Sequence, residues 1–281
     1  MKKILITGCN GQLGKALNTL WADRSDLELV NTDVAELDIT KIENVLKFTS
    51  EVKPYAIVNC AAHTAVDACE TQEELAFRIN AIGPRNLSIA ATENKAKMIQ
   101  ISTDYVFPGT SPEPLNEMAP TGPVSAYGRT KLAGEEYTKS FADKWFILRT
   151  AWLYGDGKNF VRTLMNVAEK NDEVRVVNDQ YGSPTSAAEL AKAIDSLLLT
   201  DNYGLFHATC EGQTNWADFT EEFFRLAGVK TRVNKISTAE YGAAAARPAY
   251  SVLDNMMFRN TSGYTFADWR DAIAVYMKEN Y

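Results

Sequence analysis

The stretch Ile4-Leu5-Ile6-Thr7-Gly8-Cys9-Asn10-Gly11-Gln12-Leu13-Gly14 sets the reading of the whole chain. An apolar run short enough for one buried strand stops at Gly8, and residues 14–22 then take up helical spacing. A glycine-rich turn between a strand and a helix is the context in which a GxxGxxG pattern carries information. Gly8 permits the tight turn, Gly11 lets the backbone approach a pyrophosphate, and Gly14 lets the helix pack close on the strand. The first helical turn offers free N–H groups and the positive end of the helix dipole to phosphates. A dinucleotide over this turn is expected to meet Asn10, Gln12 and Leu13 along with Gly8 and Gly11.

Outward from this turn, strands and helices alternate. Segments 27–32, 55–59, 98–102 and 145–149 read as buried strands, and 42–49 and 73–93 as helices, with Thr40 as a cap for the first of them. That alternation predicts an α/β fold: a Rossmann-type doubly wound parallel sheet, covered on both faces. Beyond residue 150 the elements shorten, with helices expected at 159–170, 186–199, 215–227 and 265–278 and strands at 174–178 and 204–209. The expected division is a dinucleotide-binding domain over 1–155, with segments near 186–210 returning to it, and a smaller, mixed C-terminal substrate lobe over 156–281. Asp33 ends the second strand, where a carboxylate accepts hydrogen bonds from the adenosine ribose and repels a 2′-phosphate. On that ground alone NADH is favoured over NADPH.

Composition narrows the class. The chain has 281 residues, 46% hydrophobic and 23% charged, enough for a large core and too apolar for disorder. A formal net charge of -7 without a basic tract argues against a nucleic-acid partner. No run approaches the ~18 apolar residues of a membrane span, and the first apolar run is too short for a signal peptide. Cys9, Cys60, Cys69 and Cys210 form no CxxC pair, and His63 and His207 are the two histidines. The cysteines therefore read as small buried hydrophobes in a reducing cytoplasm, and no metal site is expected.

Tyr127-Gly128-Arg129-Thr130-Lys131 sets Tyr127 and Lys131 one helical turn apart on one face. A lysine ammonium beside a phenol favours the phenolate, so the Tyr127 pKa is expected below its usual ~10. Tyr127 then serves as a proton donor and acceptor near neutrality. Ser102-Thr103 ends an apolar strand at the carboxyl edge, where open α/β sheets bind ligands, and a hydroxyl there can hold a substrate carbonyl beside Tyr127.

Together these residues resemble the short-chain dehydrogenase/reductase superfamily in its extended, nucleotide-sugar branch. Asn59-Cys60-Ala61-Ala62-His63-Thr64-Ala65-Val66-Asp67, Ser102-Thr103-Asp104-Tyr105-Val106-Phe107 and Tyr127-Gly128-Arg129-Thr130-Lys131-Leu132 are similar to motifs of the dTDP-4-dehydrorhamnose reductase family. So are Arg149-Thr150-Ala151-Trp152, Asn178-Asp179-Gln180-Tyr181-Gly182-Ser183-Pro184-Thr185 and Arg247-Pro248, and the resemblance covers essentially the whole chain.

The resemblance implies reduction of the 4-keto group of dTDP-4-dehydro-L-rhamnose to dTDP-L-rhamnose by NADPH or NADH. It implies that Tyr127 protonates the nascent alkoxide, that Lys131 binds the nicotinamide ribose and tunes Tyr127, and that Thr103 hydrogen-bonds the reacting oxygen. It extends the cofactor site to Asp38, Ile39, Cys60, Ala61 and Ala62. It gives Thr64, Val66, Asp104, Trp152, Asn159, Gln180 and Arg247 to the sugar nucleotide, Arg247 because a guanidinium fork matches phosphate oxygens. His63 reads as a packed, hydrogen-bonded residue beside the cofactor loop rather than as a catalyst. Some members of the family are thought to dimerise through metal-bound glutamates, one in the first helix. The matching neighbourhood here is Lys15-Ala16, so a monomer or weak homodimer without metal is expected.

Rival readings follow from the same motifs. Sugar-nucleotide dehydratases need a further acid in a Thr-Asp-Glu run, and this chain has Thr103-Asp104-Tyr105. Another sugar-nucleotide reductase or an epimerase would use the same Tyr127 and Lys131. A non-catalytic, cofactor-binding regulatory subunit, such as the beta subunit of methionine adenosyltransferase, is similar to this family and belongs to a different class; an intact Thr103, Tyr127 and Lys131 set argues for chemistry.

Overall fold

The computed structural model describes residues 1–281. Strand β1 (Lys2–Thr7) shows why its neighbourhood is apolar on both sides. Ile4 and Ile6 pack under Leu13, Leu17 and Trp21 of helix α1 (Gln12–Trp21), while Leu5 faces the other way, towards Val45, Leu87 and Met98. A strand buried on both faces needs side chains of both parities to be hydrophobic, which is the pattern of a covered parallel sheet.

The sheet has six strands, all parallel: β2 (Leu27–Thr32), β1, β3 (Ala56–Asn59), β4 (Lys97–Thr103), β5 (Trp145–Thr150) and the strand Gly204–His207, in that spatial order. From β1 the chain steps outward to β2, then crosses back through α2 (Ile42–Val52) to β3 on the other side of β1. The switch point therefore lies between β1 and β3, and open α/β sheets bind ligands in the crevice beyond such a point. The turns leaving the two strands meet there. Gly8 has φ +66°, and a Cβ on it would lie 2.7 Å from the Ala61 nitrogen.

After β3 come α3 (Val66–Thr71), α4 (Glu73–Phe77) and α5 (Gly83–Glu93). The single helix expected over 73–93 is interrupted by a π-helical turn at Arg78–Ile82. The interruption presents Asn80, whose side chain accepts the His63 N–H at 2.8 Å and donates to the His63 carbonyl at 3.1 Å. Helix α6 (Ala126–Phe141) starts at Ser125, whose side chain accepts the Gly128 N–H at 3.2 Å. Gly128 must be glycine because a Cβ there would strike the Tyr105 carbonyl. Thr40 does not cap α2: the N-cap is Lys41 with no side-chain bond, and Thr40 instead donates both its hydroxyl and its N–H to Asp38.

The second core gathers α7 (Phe160–Ala168), α9 (Trp216–Ala227) and the closing helix Trp269–Asn280 around Phe219, Phe223 and Trp269. That last helix starts later than the expected 265, because Asp268 caps it through the Arg270 N–H at 2.8 Å. A parallel pair unforeseen from sequence, Glu173–Val177 with Arg232–Ile236, flanks this core. Helix α8 (Ala187–Leu198) lies against α1 on the sheet, sharing its core through Leu190, Ile194 and Leu197. Lys15 bonds Asp156 at 2.9 Å. No helix is long and apolar enough to cross a membrane.

Candidate active site

Three cavities adjoin one another, the first two along the carboxyl edge of the sheet and the third beside the second core. The first, about 390 Å³, lies over the switch point and is lined by Gly8, Gly11, Asp33, Asp38, Ile39, Cys60, Ala61 and Ala62 among others. The central cleft, about 530 Å³, shares Gly11, Cys60, Ala61 and Ala62 with it and runs on to Thr103, Tyr127, Lys131 and Trp152. The third, about 360 Å³, meets the cleft at Tyr105 and Trp216 and holds Gln180 and Arg247. Every sequence-predicted site residue lines one of the three.

The first cavity fits the adenosine side of a dinucleotide, and the α1 terminus beside it fits the pyrophosphate. Helix α1 opens at Gly11 with no side chain capping it and no acidic residue in its first turn, so its terminal N–H groups face the cleft unclaimed by a side chain. Two aspartates and no basic residue line the first cavity. Asp33 accepts the Val34 N–H at 2.8 Å and the Asn10 N–H at 3.3 Å, which ties the end of β2 to the glycine turn. Val34, Leu37, Thr40 and Ile79 also line it and carried no signal of their own in the sequence.

In the central cleft, β4 delivers Thr103, the short 3-10 turn after it Asp104, and the first turns of α6 Tyr127 and Lys131. The Thr103 hydroxyl donates to Asp104 at 3.0 Å and accepts the Tyr105 N–H at 3.2 Å. Asp104 also accepts from Ser251 at 2.6 Å, and burial still pushes its carboxyl up to about 6. Lys131 donates to the Ile101 carbonyl at 2.6 Å, and burial pushes its ammonium down to about 8.

The expected depression of the Tyr127 pKa is reversed. Burial raises the phenol above its ordinary value, with the Thr103 hydroxyl acting against that and the Asp104 carboxylate adding to it. The physical reason is that the lysine is itself desolvated and turned to a backbone carbonyl, so the half-buried phenol gains too little from it to give up its proton.

Trp152 sits at φ +48°, a left-handed conformation that is costly for a bulky side chain. Its indole stacks on Trp216 of α9 with centroids 3.5 Å apart and planes at 8°, and backs onto Gly182, where a Cβ would come within 2.6 Å of it. Trp216 belongs to the site by tertiary folding, and nothing near it in the sequence marks it. Thr64 and Val66 line the same cleft from the loop after β3.

The remaining residues are more committed to the protein. Asn159 caps α7 by accepting the Arg162 N–H at 2.9 Å, and its amide donates to Gly155 at 2.8 Å and Gln12 at 3.1 Å. Gln180 is buried and donates to Thr238 at 2.9 Å. Arg247 pairs with Asp67. His63 is packed, yet its Nε2 is buried without a partner; its backbone, rather than its ring, makes the hydrogen bonds.

The model of the RmlD substrate binding domain matches residues 1–281. The chain belongs to the dTDP-4-dehydrorhamnose reductase family. A reductase of that name from Streptomyces griseus is 40% identical, over 96% of this chain and 91% of its own. The crystal structure of a dTDP-4-dehydrorhamnose reductase from Clostridium acetobutylicum is 48% identical, with a TM-score of 0.97 over 99% of each chain. The Bacillus anthracis reductase, solved in complex with NADP, is 40% identical, with a TM-score of 0.97 over 100% of both chains.

Proposed function

We propose that this protein reduces the 4-keto group of dTDP-4-dehydro-L-rhamnose to dTDP-L-rhamnose, with NADPH or NADH as reductant. The observation that carries the reading is the run of three adjoining cavities with Thr103, Tyr127 and Lys131 in the middle one. A dinucleotide held along the first two would have its nicotinamide beside that trio, and a sugar nucleotide entering from the third would have its keto group at the same place.

When bound, the reduced nicotinamide supplies the hydride. The protein's part is to hold the carbonyl and deliver the proton. Thr103 hydrogen-bonds the keto oxygen, and Tyr127 gives its phenolic proton to the oxygen as negative charge builds there. A phenol that keeps its proton at neutral pH suits that direction of reaction. Lys131 binds the nicotinamide ribose and becomes the charge that stabilises Tyr127 after transfer.

Asp33, Asp38 and Ile39 take the adenosine, Gly8 to Leu13 the pyrophosphate, and Cys60 to Ala62 the wall between the two nucleotide halves. Thr64, Val66, Asp104 and Trp152 enclose the sugar, and Gln180 and Arg247 face the dTDP group, with Asn159 acting through the loop it caps. Residues 1–155 with 186–210 form the dinucleotide half and the remainder the substrate lobe.

The four free cysteines support a reducing, cytoplasmic setting, and the net charge of -7 supports a small-molecule partner over nucleic acid. The enzyme acts as a monomer or weak homodimer. The test is oxidation of NADH and NADPH in parallel with dTDP-4-dehydro-L-rhamnose. Product identified as dTDP-L-rhamnose supports the reading; absent turnover with the dinucleotide still bound overturns it in favour of a binding subunit.

A further inference from the structure

Directly beneath the catalytic trio lies a buried ionic cluster that the chemistry above does not use. Arg149 meets Glu135 fork to fork, with Nε 2.8 Å from Oε1 and Nη2 2.6 Å from Oε2, and both side chains are almost wholly buried. Ser102 donates to the same Oε1 at 2.6 Å. Arg149 Nη1 has no hydrogen-bond partner, and the guanidinium lies 5.0 Å from the Phe107 ring.

Such a cluster is a poor device for stability. Desolvating two charges offsets most of their attraction, and an apolar pair of like volume commonly serves the fold as well or better. An unpartnered guanidinium N–H makes the balance worse. Its placement points to another use. Ser102 precedes Thr103 on β4, Arg149 precedes Thr150 on β5, and these two pairs lie opposite each other in the sheet. Glu135 lies one helical turn beyond Lys131 on α6, and two turns beyond Tyr127. One carboxylate thus ties together the three elements that build the central cleft.

We propose that Glu135 is a positioning residue for the reduction, fixing the height and rotation of α6 against β4 and β5 so that Tyr127 and Lys131 face Thr103. Apart from Lys131 and Glu135 the buried residues of α6 are small, Gly128, Gly134 and Thr138 among them, and small residues alone permit sliding. The bidentate fork has one angular solution, and Ser102 fixes it to the strand that carries Thr103. A displacement of about an ångström at the reacting groups is enough to cost on the order of 100-fold in rate.

The proposal rests on the catalytic assignment of Tyr127 and Thr103, so Tyr127→Phe is measured in parallel. Two variants test the tie itself. Glu135→Leu combined with Arg149→Met removes both charges together at similar volume, and Ser102→Ala cuts one arm while leaving the ion pair in place. For the paired exchange we expect kcat to fall about tenfold or more, with a smaller loss of dinucleotide affinity through Lys131, while KM for the sugar nucleotide and Tm stay near the parent values. Ser102→Ala is expected to lower kcat alone, by about threefold.

Unchanged kcat in a folded paired variant overturns the proposal, and so does a loss spread evenly over kcat, KM, dinucleotide affinity and Tm. Should the pair fail to fold, Ser102→Ala decides, with unchanged kcat counting against the tie. Near-normal turnover of Tyr127→Phe would instead overturn the catalytic assignment beneath it.

Discussion

Arg247 and Asp67 lie fork to fork, with Nη2 2.8 Å from Oδ2 and Nη1 3.1 Å from Oδ1. Asp67 stands in the first turn of α3, just past the loop that walls the cofactor crevice, and also accepts the Ala245 N–H at 3.0 Å. The pair therefore joins the cofactor side of the cleft to the chain segment that carries Arg247 into the third cavity. If the guanidinium meets the diphosphate, Arg247→Ala is expected to raise KM for the sugar nucleotide about tenfold or more, the scale of one or two charge-assisted hydrogen bonds. Turnover at saturation should change little, and Arg247→Lys should recover part of the loss, since an ammonium offers no fork. Steady-state kinetics with unchanged KM in the alanine variant would remove Arg247 from substrate binding.

Tyr127→Phe tests the proposed proton donor. The half-buried phenol lies against Thr103, and removing its hydroxyl leaves ring packing against Tyr105 in place. Turnover is expected to fall about 100-fold or more, with dinucleotide affinity nearly unchanged. Stopped-flow reduction beside a fluorescence titration of NADH separates the two effects.

Asp33 bears on cofactor choice. The first cavity presents Asp33 and Asp38 without a basic residue, so a 2′-phosphate placed there would meet negative charge, although a 40% identical relative has been solved with NADP. Asp33→Ala is expected to weaken NADH and to weaken NADPH less or strengthen it. Dissociation constants for the two dinucleotides, measured on parent and variant, decide this; equal losses would mean that the carboxylate does not touch the ribose.

His207 gives the fold a pH dependence of defined sign. It is fully buried, with Nδ1 2.8 Å from the Leu115 carbonyl, and burial aided by Arg149 pushes its pKa down to about 3 from an ordinary 6.5. Below pH 6.5 the unfolded chain takes up a proton that the folded chain refuses, so stability falls with pH until the folded imidazole titrates. Between pH 7 and 5 the loss is about 2 kcal/mol. Asp104, held up near 6, acts in the opposite direction over the same window, because its folded carboxyl keeps a proton that the unfolded one sheds. The readout is therefore the difference between parent and His207→Gln. The Tm of the parent should drop relative to the variant by roughly 4 °C from pH 7 to 5. A constant difference would mean that the imidazole is not a buried neutral group.

How much of this was legible in sequence depends on how local each signal is. The β1 turn, the strands of the sheet and the helix that carries Tyr127 and Lys131 follow from spacing within a dozen residues, and the fold places them accordingly. The π turn at Arg78–Ile82 was hidden because its reason lies elsewhere: Asn80 reaches back to His63 and across to Thr130 on α6. The parallel pairing of Arg232–Ile236 with Glu173–Val177 was hidden for the same reason, since neither segment announces its partner. Helical spacing places Lys131 beside Tyr127 but does not show that the lysine is buried and bonded to Ile101, which is why the direction of the Tyr127 pKa differs from the expected one. Trp216 shows the limit most plainly: it completes the cleft from a helix whose own pattern speaks only of core packing.

The stacked indoles of Trp152 and Trp216 also make the cleft optically self-reporting. Two such chromophores in van der Waals contact couple their transition dipoles, so a paired circular-dichroism signal sensitive to ring separation and tilt is expected of this pair. A sugar ring settling against Trp152, as proposed above, is expected to disturb the pair. Ligand entry can then be followed on the unlabelled protein, including with dead-end analogues that never turn over and with variants whose chemistry has been removed.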